Sequence, residues 1–332
     1  MSAPFVTTPE IDAARSRIAG QVLHTALQPS RALSDRAGVP VLLKLEHRQV
    51  TGSFKFRGAT NAVAMLTPEE RRRGVVAVTT GNHGRALVHA AKAAGIRAVI
   101  CMSRLVPENK VAEIRRLGGE VHIVGRSQDE AEVEVRRLIA AEGLVTIPPF
   151  DHPAVIAGQG TVGLEIVADL PEVHTVLVPV SGGGLAAGIA AAVKGLVPSA
   201  RVIGVSMRRG AAMKTSLDAG RPVEVEELPT LADSLGGGIG LDNRCTFAML
   251  QALLDDLVLV GEAEIVAGIA HAYESEREIV EGAGAVGIAA LLAGRVSLGG
   301  PAVLVLSGGN IDMNLHRRII CGELRPLEEA AA

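Results

Sequence analysis

The chain has 332 residues, of which 48% are hydrophobic and 2% aromatic, and its formal net charge is −3. This length is enough for two domains with a large core, and the near-neutral charge offers no basic surface for nucleic acid or an anionic membrane. Three widely spaced cysteines without a CxxC pair, Cys101, Cys245 and Cys321, favour neither a disulfide framework nor a zinc site. No targeting segment or membrane-length apolar run is recognisable. We therefore expect a cytoplasmic protein without nucleic-acid or membrane partners.

Apolar runs alternate with helix-length segments along the chain. Thr8 as N-cap, with Pro9 at the first helical position, predicts a helix that ends near Ile18. Strands are predicted at 39–46, 75–80, 98–102, 121–124, 175–180, 201–206 and 302–306. Helices are predicted at 83–94, 109–117, 127–142 and 185–196. This alternation is typical of βαβ units, so the predicted fold class is α/β with parallel sheets.

The segment 51–62, TGSFKFRGATNA, predicts a helix with a lysine in its first turn, because Ser53 is a suitable N-cap. Counting from Lys55 in steps of three and four places small and apolar residues on the same face, namely Gly58, Ala59, Ala62 and Val63. The opposite, polar face is predicted to carry Arg57, Thr60 and Asn61. Lys55 is therefore expected on the buried face.

Burial of Lys55 between Phe54 and Phe56, beside the positive end of a helix, disfavours its ammonium form. A lysine with a depressed pKa suits Schiff-base chemistry, since only the neutral amine attacks an aldehyde. Taken by itself, Lys55 is better explained as a solvated lysine that snorkels past a helix start, and the Schiff-base interpretation depends on the motifs further along the chain.

A glycine turn follows the predicted strand 175–180. Ser181, Gly182, Gly183 and Gly184 lead directly into a helix, where backbone N–H groups can converge on a phosphate. The spacing is neither GxGxxG nor the GK[ST] of a P-loop. A flexible turn is the alternative.

Together with TTGNHGRA at 79–86, SGGGL at 181–185 and LSGGN at 306–310, the lysine segment resembles the fold-type-II enzymes that use pyridoxal 5'-phosphate. The serine and threonine dehydratases and serine racemase are the most similar groups, and the likeness extends from about residue 25 to 321. The resemblance implies two parallel-sheet domains like those of the tryptophan synthase β-subunit, with the cofactor in the cleft between them. It also implies a large domain from 1–47 and 146–332, an inserted small domain at 48–145, and a homodimer.

The resemblance assigns roles residue by residue. Lys55 is the cofactor-bonding lysine, Asn82 contacts the phenolic oxygen, and Ser307 faces the pyridine nitrogen. The other expected cofactor contacts are Phe54, Ser181, Gly182, Gly183, Gly184, Leu185 and Glu281, although Gly282 stands where the family usually has proline. Expected substrate contacts are Thr79, Thr80, Gly81, His83, Arg85 and Gln159. Read without the family, Asn82 and Ser307 are turn residues and Glu281 is a helix cap.

The implied reaction is β-elimination. Lys55 removes the α-proton of a β-hydroxy amino acid, the hydroxyl leaves, and the released enamine hydrolyses to a 2-oxo acid and ammonia. A neutral hydroxyl at Ser307 favours elimination over transamination. Thr80 stands where serine racemase has the serine that protonates the opposite face, so racemisation is the alternative within the fold.

Three departures from ordinary dehydratases bear on the substrate. Ser206 replaces a glutamate of the family's metal site, so no metal is predicted; Arg85 stands where glutamine is common; and the run GGGIGLDNR at 236–244 is unusual. Together they resemble the hydroxyectoine-utilisation dehydratases. Hydroxyectoine itself has no free primary amine, so a ring-opened derivative is the better candidate. With some twenty residues after LSGGN, we expect a catabolic enzyme without a C-terminal regulatory module.

Arg85 leaves two interpretations open. It favours a substrate with an additional anionic or amide group, such as 3-hydroxyaspartate or an acylated hydroxy-diamino acid, or it is a surface residue of its helix. From other classes, a nicotinamide-dependent dehydrogenase and a non-catalytic vitamin-B6-binding protein also fit phosphate-binding turns.

Overall fold

The structure is a computed structural model that describes residues 5–79, 81–104, 106, 108–126 and 128–324, without the side chains of residues 109, 128 and 129. Its strands are β1 Leu27–Pro29, β2 Val41–Lys44, β3 Val75–Val78, β4 Ala98–Met102, β5 Glu120–Ile123, β6 Val145–Thr146, β7 Thr175–Pro179, β8 Arg201–Met207, β9 Asp256–Val260 and β10 Ala302–Val305. Its helices are α1 Thr8–Ile18, α2 Arg31–Ala37, α3 Lys55–Ala64, α4 Pro68–Arg73, α5 Asn82–Ala93, α6 Glu108–Leu117, α7 Gln128–Glu142, α8 Pro153–Asp169, α9 Gly184–Leu196, α10 Ala212–Ala219, α11 Thr246–Leu253, α12 Glu262–Glu274, α13 Gly282–Leu292 and α14 Met313–Ile320.

The strands form two sheets. The larger has the order β1-β2-β10-β7-β8-β9 and the smaller β5-β4-β3-β6. All pairs are parallel except β1 with β2. The predicted α/β class with two parallel sheets is confirmed. The central strands β4, β7 and β10 are buried along their whole length, which explains their continuous apolar sequences.

Helices cover both faces of the larger sheet. Val176 and Val178 of β7 belong to the core that includes α8 and α9, whereas Leu177 belongs to the core that includes α12 and α13. Side chains of a strand alternate between faces, so each face receives its own apolar layer. The smaller sheet is covered in the same way, with α3 and α5 in one core and α7 in another.

The strands of the smaller sheet lie between residues 75 and 146. The division of the chain into domains at residues 48 and 146 remains a prediction. In the described part of the chain, no helix combines the length and apolarity that a membrane span needs.

Two predicted helix starts are wrong. The N-cap of α1 is Thr7 rather than Thr8, because Glu10 receives hydrogen bonds from the Thr7 N–H and hydroxyl at 2.8 and 2.7 Å. The N-cap of α3 is Phe54. Ser53, the predicted cap, is buried, pairs with Gly308 in an isolated β-bridge and has an unbonded side-chain oxygen.

The polar face predicted for α3 is also wrong, since Arg57, Thr60 and Asn61 are all buried. The reason lies in tertiary packing, because α8 crosses this helix and supplies polar partners. The Arg57 guanidinium bonds Glu165, and the Asn61 amide donates to the Ala154 carbonyl at 2.6 Å.

Candidate active site

A cavity of about 350 Å³ lies where residues from both sheets meet. Four helices point their N-termini at it, because Lys55 begins α3, Asn82 begins α5, Gly184 begins α9 and Glu281 precedes α13. Helix N-termini carry unpaired N–H groups and a partial positive charge. The cavity is therefore built to hold an anionic ligand.

Most of the predicted site residues line this cavity, and they are Phe54, Lys55, Thr79, Gly81, Asn82, His83, Ser181, Gly182, Gly183, Gly184, Leu185, Glu281 and Ser307. Arg85 and Gln159 do not line it. Thr80 falls outside the described residues, so its catalytic and substrate-binding roles stay predictions.

Lys55 enters the cavity from the first position of α3. Its Nζ donates a hydrogen bond to the Pro149 carbonyl at 2.7 Å and lies 5.2 Å from the centre of the Phe54 ring. Burial lowers the pKa of Lys55 to about 8, and the carboxylate of Glu281 opposes this shift. Near neutral pH a useful fraction of this lysine is the nucleophilic free amine.

The turn after β7 requires its glycines. A Cβ on Gly182 would lie 2.4 Å from the Phe150 ring, and one on Gly183 would lie 2.7 Å from Leu250 Cδ1. Gly183 also has φ +92°, in the region that favours glycine. The backbone of Ser181–Gly184 is thus free to approach a phosphate at the N-terminus of α9, which fits the cradle that the sequence predicts.

Asn82 and Glu281 meet in the cavity wall. Asn82 Nδ2 donates to Glu281 Oε1 at 2.7 Å. Burial and the nearby carboxylate of Asp233 raise the pKa of Glu281 to about 7, against the hydrogen bond from Asn82. Ser307 is buried beside them, and its carbonyl accepts a hydrogen bond from the N–H of Phe54 at 3.0 Å.

His83 is a neutral residue in this site. Its Nε2 donates to the Ile147 carbonyl at 2.8 Å, and burial together with the charge of Lys55 lowers its pKa to about 3. His83 therefore offers shape and hydrogen bonding rather than a proton at physiological pH.

The two predicted substrate contacts outside the cavity have other partners. Arg85 Nη1 donates to Asn310 Oδ1 at 2.9 Å. Gln159 is buried beneath α3, where its Oε1 accepts from the Gly58 N–H at 3.3 Å.

The sequence did not predict the cavity lining formed by Lys110, Glu227, Asp233, Ser234 and Leu235, which are joined there by Gly236, Gly237 and Gly238 of the unusual glycine run. The one available signal was the glycine run at 236–244. Ser206, for which the family resemblance predicted the place of a metal-binding glutamate, donates to the Val180 carbonyl at 2.7 Å. Within the described ranges, no three His, Cys, Asp or Glu side chains converge as a metal site.

A lysine made nucleophilic by desolvation, beside a glycine phosphate cradle in the cleft of an α/β protein, defines an enzyme that bonds a phosphorylated aldehyde cofactor. Comparison with known proteins agrees. A profile described as "Pyridoxal-phosphate dependent enzyme" matches residues 18–308. The chain belongs to this family and is a pyridoxal-phosphate-dependent lyase. This removes the nicotinamide dehydrogenase alternative.

Two curated relatives and one solved structure show how similar the chain is to known members of this family. A provisionally named threonine dehydratase of Sinorhizobium fredii is 65% identical over 96% of each chain. The L-threonine ammonia-lyase of Thermotoga maritima is 43% identical over 95% of this chain and 78% of its own. The solved structure of maize serine racemase superposes with a TM-score of 0.90 at 32% identity, covering 96% of this chain and 98% of its own.

Proposed function

We propose that the protein removes water from a β-hydroxy amino acid and yields a 2-oxo acid and ammonia. The observation that carries the proposal is Lys55, whose pKa of about 8 lets its amine act as a base beside the glycine cradle. The names of the threonine dehydratase and ammonia-lyase relatives support the same reaction class.

Different cavity residues would bind different parts of the cofactor. The backbone of Ser181–Leu185 would hold the cofactor phosphate, Asn82 would face the phenolic oxygen, and Ser307 would face the ring nitrogen. When bound, the cofactor supplies an electron sink next to the substrate's α-carbon. The hydroxyl of Ser307, in place of a carboxylate, supports elimination over transamination.

The other residues bind the substrate and move its protons. Thr79, Gly81 and the N-terminus of α5 would bind the substrate carboxylate. The neutral amine of Lys55 would take the α-proton, and the proton held by the resulting Lys55 ammonium balances the departure of the β-hydroxyl as water. The resulting enamine then hydrolyses in solution to the 2-oxo acid and ammonia.

For the substrate side chain, we propose serine, threonine or a ring-opened hydroxyectoine derivative. The outer cavity wall carries the carboxylates of Glu227 and Asp233 and the ammonium of Lys110, and Arg85 lies outside the cavity. These groups suit a hydroxyl, amide or amine better than a second carboxylate. We therefore place 3-hydroxyaspartate behind the other candidates.

Serine racemisation is a second candidate, supported by the similarity to maize serine racemase. Its distinguishing product is D-serine. From the family resemblance we also propose a cytoplasmic homodimer with domains at 1–47 with 146–332 and at 48–145.

The test compares the wild-type protein, Lys55→Ala and the control Lys92→Ala, which alters an exposed lysine on α5. Each is loaded with pyridoxal phosphate, and its visible spectrum is recorded before addition of the candidate substrates. We expect a visible band and 2-oxo acid release in wild type and control, with a loss of roughly 10³-fold or more in Lys55→Ala.

Three other results would contradict the proposal. Cofactor binding without turnover of any candidate would indicate a non-catalytic B6-binding protein, and D-serine without 2-oxo acid would indicate a racemase. Full activity of Lys55→Ala would remove the lysine from the mechanism.

A further inference from the structure

Arg85 stands at one end of a continuous chain of hydrogen bonds that reaches the cavity. Its Nη1 donates to Asn310 Oδ1 at 2.9 Å, and Asn310 Nδ2 donates to Asn82 Oδ1 at 2.6 Å. Asn82 Nδ2 in turn donates to Glu281 Oε1 at 2.7 Å. A residue outside the cavity is thus connected to two that line it.

Two groups that cannot reverse their roles fix the direction of this chain. The Thr51 carbonyl can only accept, and it receives a hydrogen bond from Asn310 Nδ2 at 3.0 Å. The Arg85 guanidinium can only donate, so it requires the oxygen of Asn310. Both hold the Asn310 amide in one orientation. The remaining hydrogen of its Nδ2 then points at Asn82.

The orientation of Asn310 decides that of Asn82. A side-chain amide flipped by 180° exchanges a donor for an acceptor with little change of shape. Because Asn310 offers a donor, Asn82 must turn its oxygen toward Asn310 and its NH₂ group toward Glu281 and the cavity. The ligand atom that Asn82 meets must therefore be an acceptor.

We propose that Arg85 and Asn310 are positioning residues, which hold the Asn82 amide so that it presents a donor to the phenolic oxygen of the cofactor. This inference rests on the proposed role of Asn82. It replaces both earlier interpretations of Arg85, as a substrate contact or a solvated helix residue. The guanidinium is one-quarter exposed, and among the described residues it pairs with one carboxylate, that of Glu113, at 3.9 Å. The Asn310 oxygen, at 2.9 Å, is therefore closer to the Arg85 guanidinium than the Glu113 carboxylate is.

The test measures the dissociation constant of pyridoxal phosphate in a Lys55→Ala background, where only noncovalent contacts contribute and no turnover is needed. Arg85→Met removes the donor and the charge, and we expect binding about tenfold weaker. Asn310→Asp keeps the shape but offers only acceptors, so Asn82 must turn its oxygen to the cavity. Its loss is expected to be larger, roughly 100-fold.

Lys92→Met is the matched control, because it removes an exposed positive charge from the same helix, and it should leave the dissociation constant unchanged. Arg85→Lys, which keeps a charged donor, should restore part of the affinity. A thermal unfolding curve of each cofactor-free variant checks that the fold is intact.

A double-mutant cycle separates positioning from a general structural role. If Arg85 acts through Asn82, Arg85→Met has little further effect once Asn82→Ala is present. The proposal is overturned if Arg85→Met leaves the affinity unchanged or weakens it equally in both backgrounds. Failure of the proposed dehydratase reaction is a separate result, since the wild-type protein would then bind the cofactor without releasing 2-oxo acid.

Discussion

Lys55 and Arg57 lie two residues apart on α3, and the fold places them in opposite electrostatic environments. Arg57 is fully buried, and its guanidinium bonds Glu46 at 2.7 and 2.8 Å and Glu165 at 2.6 and 2.8 Å. The hydrogen bond described for the Lys55 amine goes to a neutral carbonyl, that of Pro149. Arg57 therefore has two carboxylate partners, Glu46 and Glu165, whereas Lys55 faces the cavity.

The pKa shifts follow the partners rather than the burial. Burial by itself would lower the pKa of Arg57, but the carboxylates of Glu46 and Glu165 raise it above its ordinary value. Burial lowers the pKa of Lys55 to about 8 because only Glu281 opposes it. The ion pairs of Arg57 thus anchor α3, whereas Lys55, with less compensation from carboxylates, can lose its proton and react as a free amine.

The ionic cluster behind α3 joins three elements. Lys44 of β2 contacts Glu165 of α8 at 2.6 Å, while Thr25 donates to Glu46 at 2.5 Å. Together with Arg57, these residues fix α3 relative to β2 and α8. The position of Lys55 in the cavity depends on that anchorage.

Arg57→Met should have the largest effect on stability. It removes the guanidinium shared by Glu46 and Glu165 and leaves Lys44 as the remaining cation at Glu165, and we expect a loss of about 3–5 kcal/mol in the free energy of unfolding. Urea denaturation of the cofactor-free protein measures it. The control is Arg72→Met, since Arg72 forms an exposed pair with Glu69, and there the change should stay below about 1 kcal/mol. Equal losses in both variants would contradict the anchoring role.

Lys55→Met should act in the opposite direction. The pKa of Lys55 is lowered on folding, so folding is penalised wherever the unfolded chain keeps this lysine protonated. The penalty is fully present below about pH 8 and disappears as the pH rises above the ordinary value of 10.5. We expect the variant to be more stable than wild type by about 1–2 kcal/mol at pH 7.

Urea denaturation of both cofactor-free proteins at pH 7 and near pH 10.5 measures this difference. It should shrink at the higher pH, since Lys55 is then neutral in the folded protein and about half neutral in the unfolded chain. A Met variant that is less stable at pH 7 would show that Lys55 has a stabilising partner.

Gly183→Ala tests the glycine turn that lines the cavity, and its expected effect is the smallest of the three. The new Cβ would strain a left-handed backbone and approach Leu250, and we expect cofactor affinity to fall about tenfold. Gly220→Ala is the control because Gly220 has φ +68° with open space around it, far along the chain in α10's C-cap. Fluorescence titration with pyridoxal phosphate compares the two. The same loss in both variants would mean that the effect is global.

The sequence by itself predicted whatever depends on local pattern. Apolar runs separated by helix-length segments predicted the α/β class, and the glycines after β7 predicted a phosphate-binding turn at a helix N-terminus. The motifs around Lys55, Asn82 and Ser307 predicted the cofactor through their resemblance to the fold-type-II enzymes, which carry similar motifs in the same order.

Tertiary structure alone decided what depends on partners distant in the chain. Arg57 and Asn61 follow a polar helical pattern, yet α8 buries them, with Glu165 lying 108 positions beyond Arg57. Arg85 has the charge expected of a substrate contact, yet it bonds Asn310, 225 positions away. The physical reason is that a charged side chain is defined by its counter-charges and hydrogen-bond partners, and a local sequence pattern does not contain them.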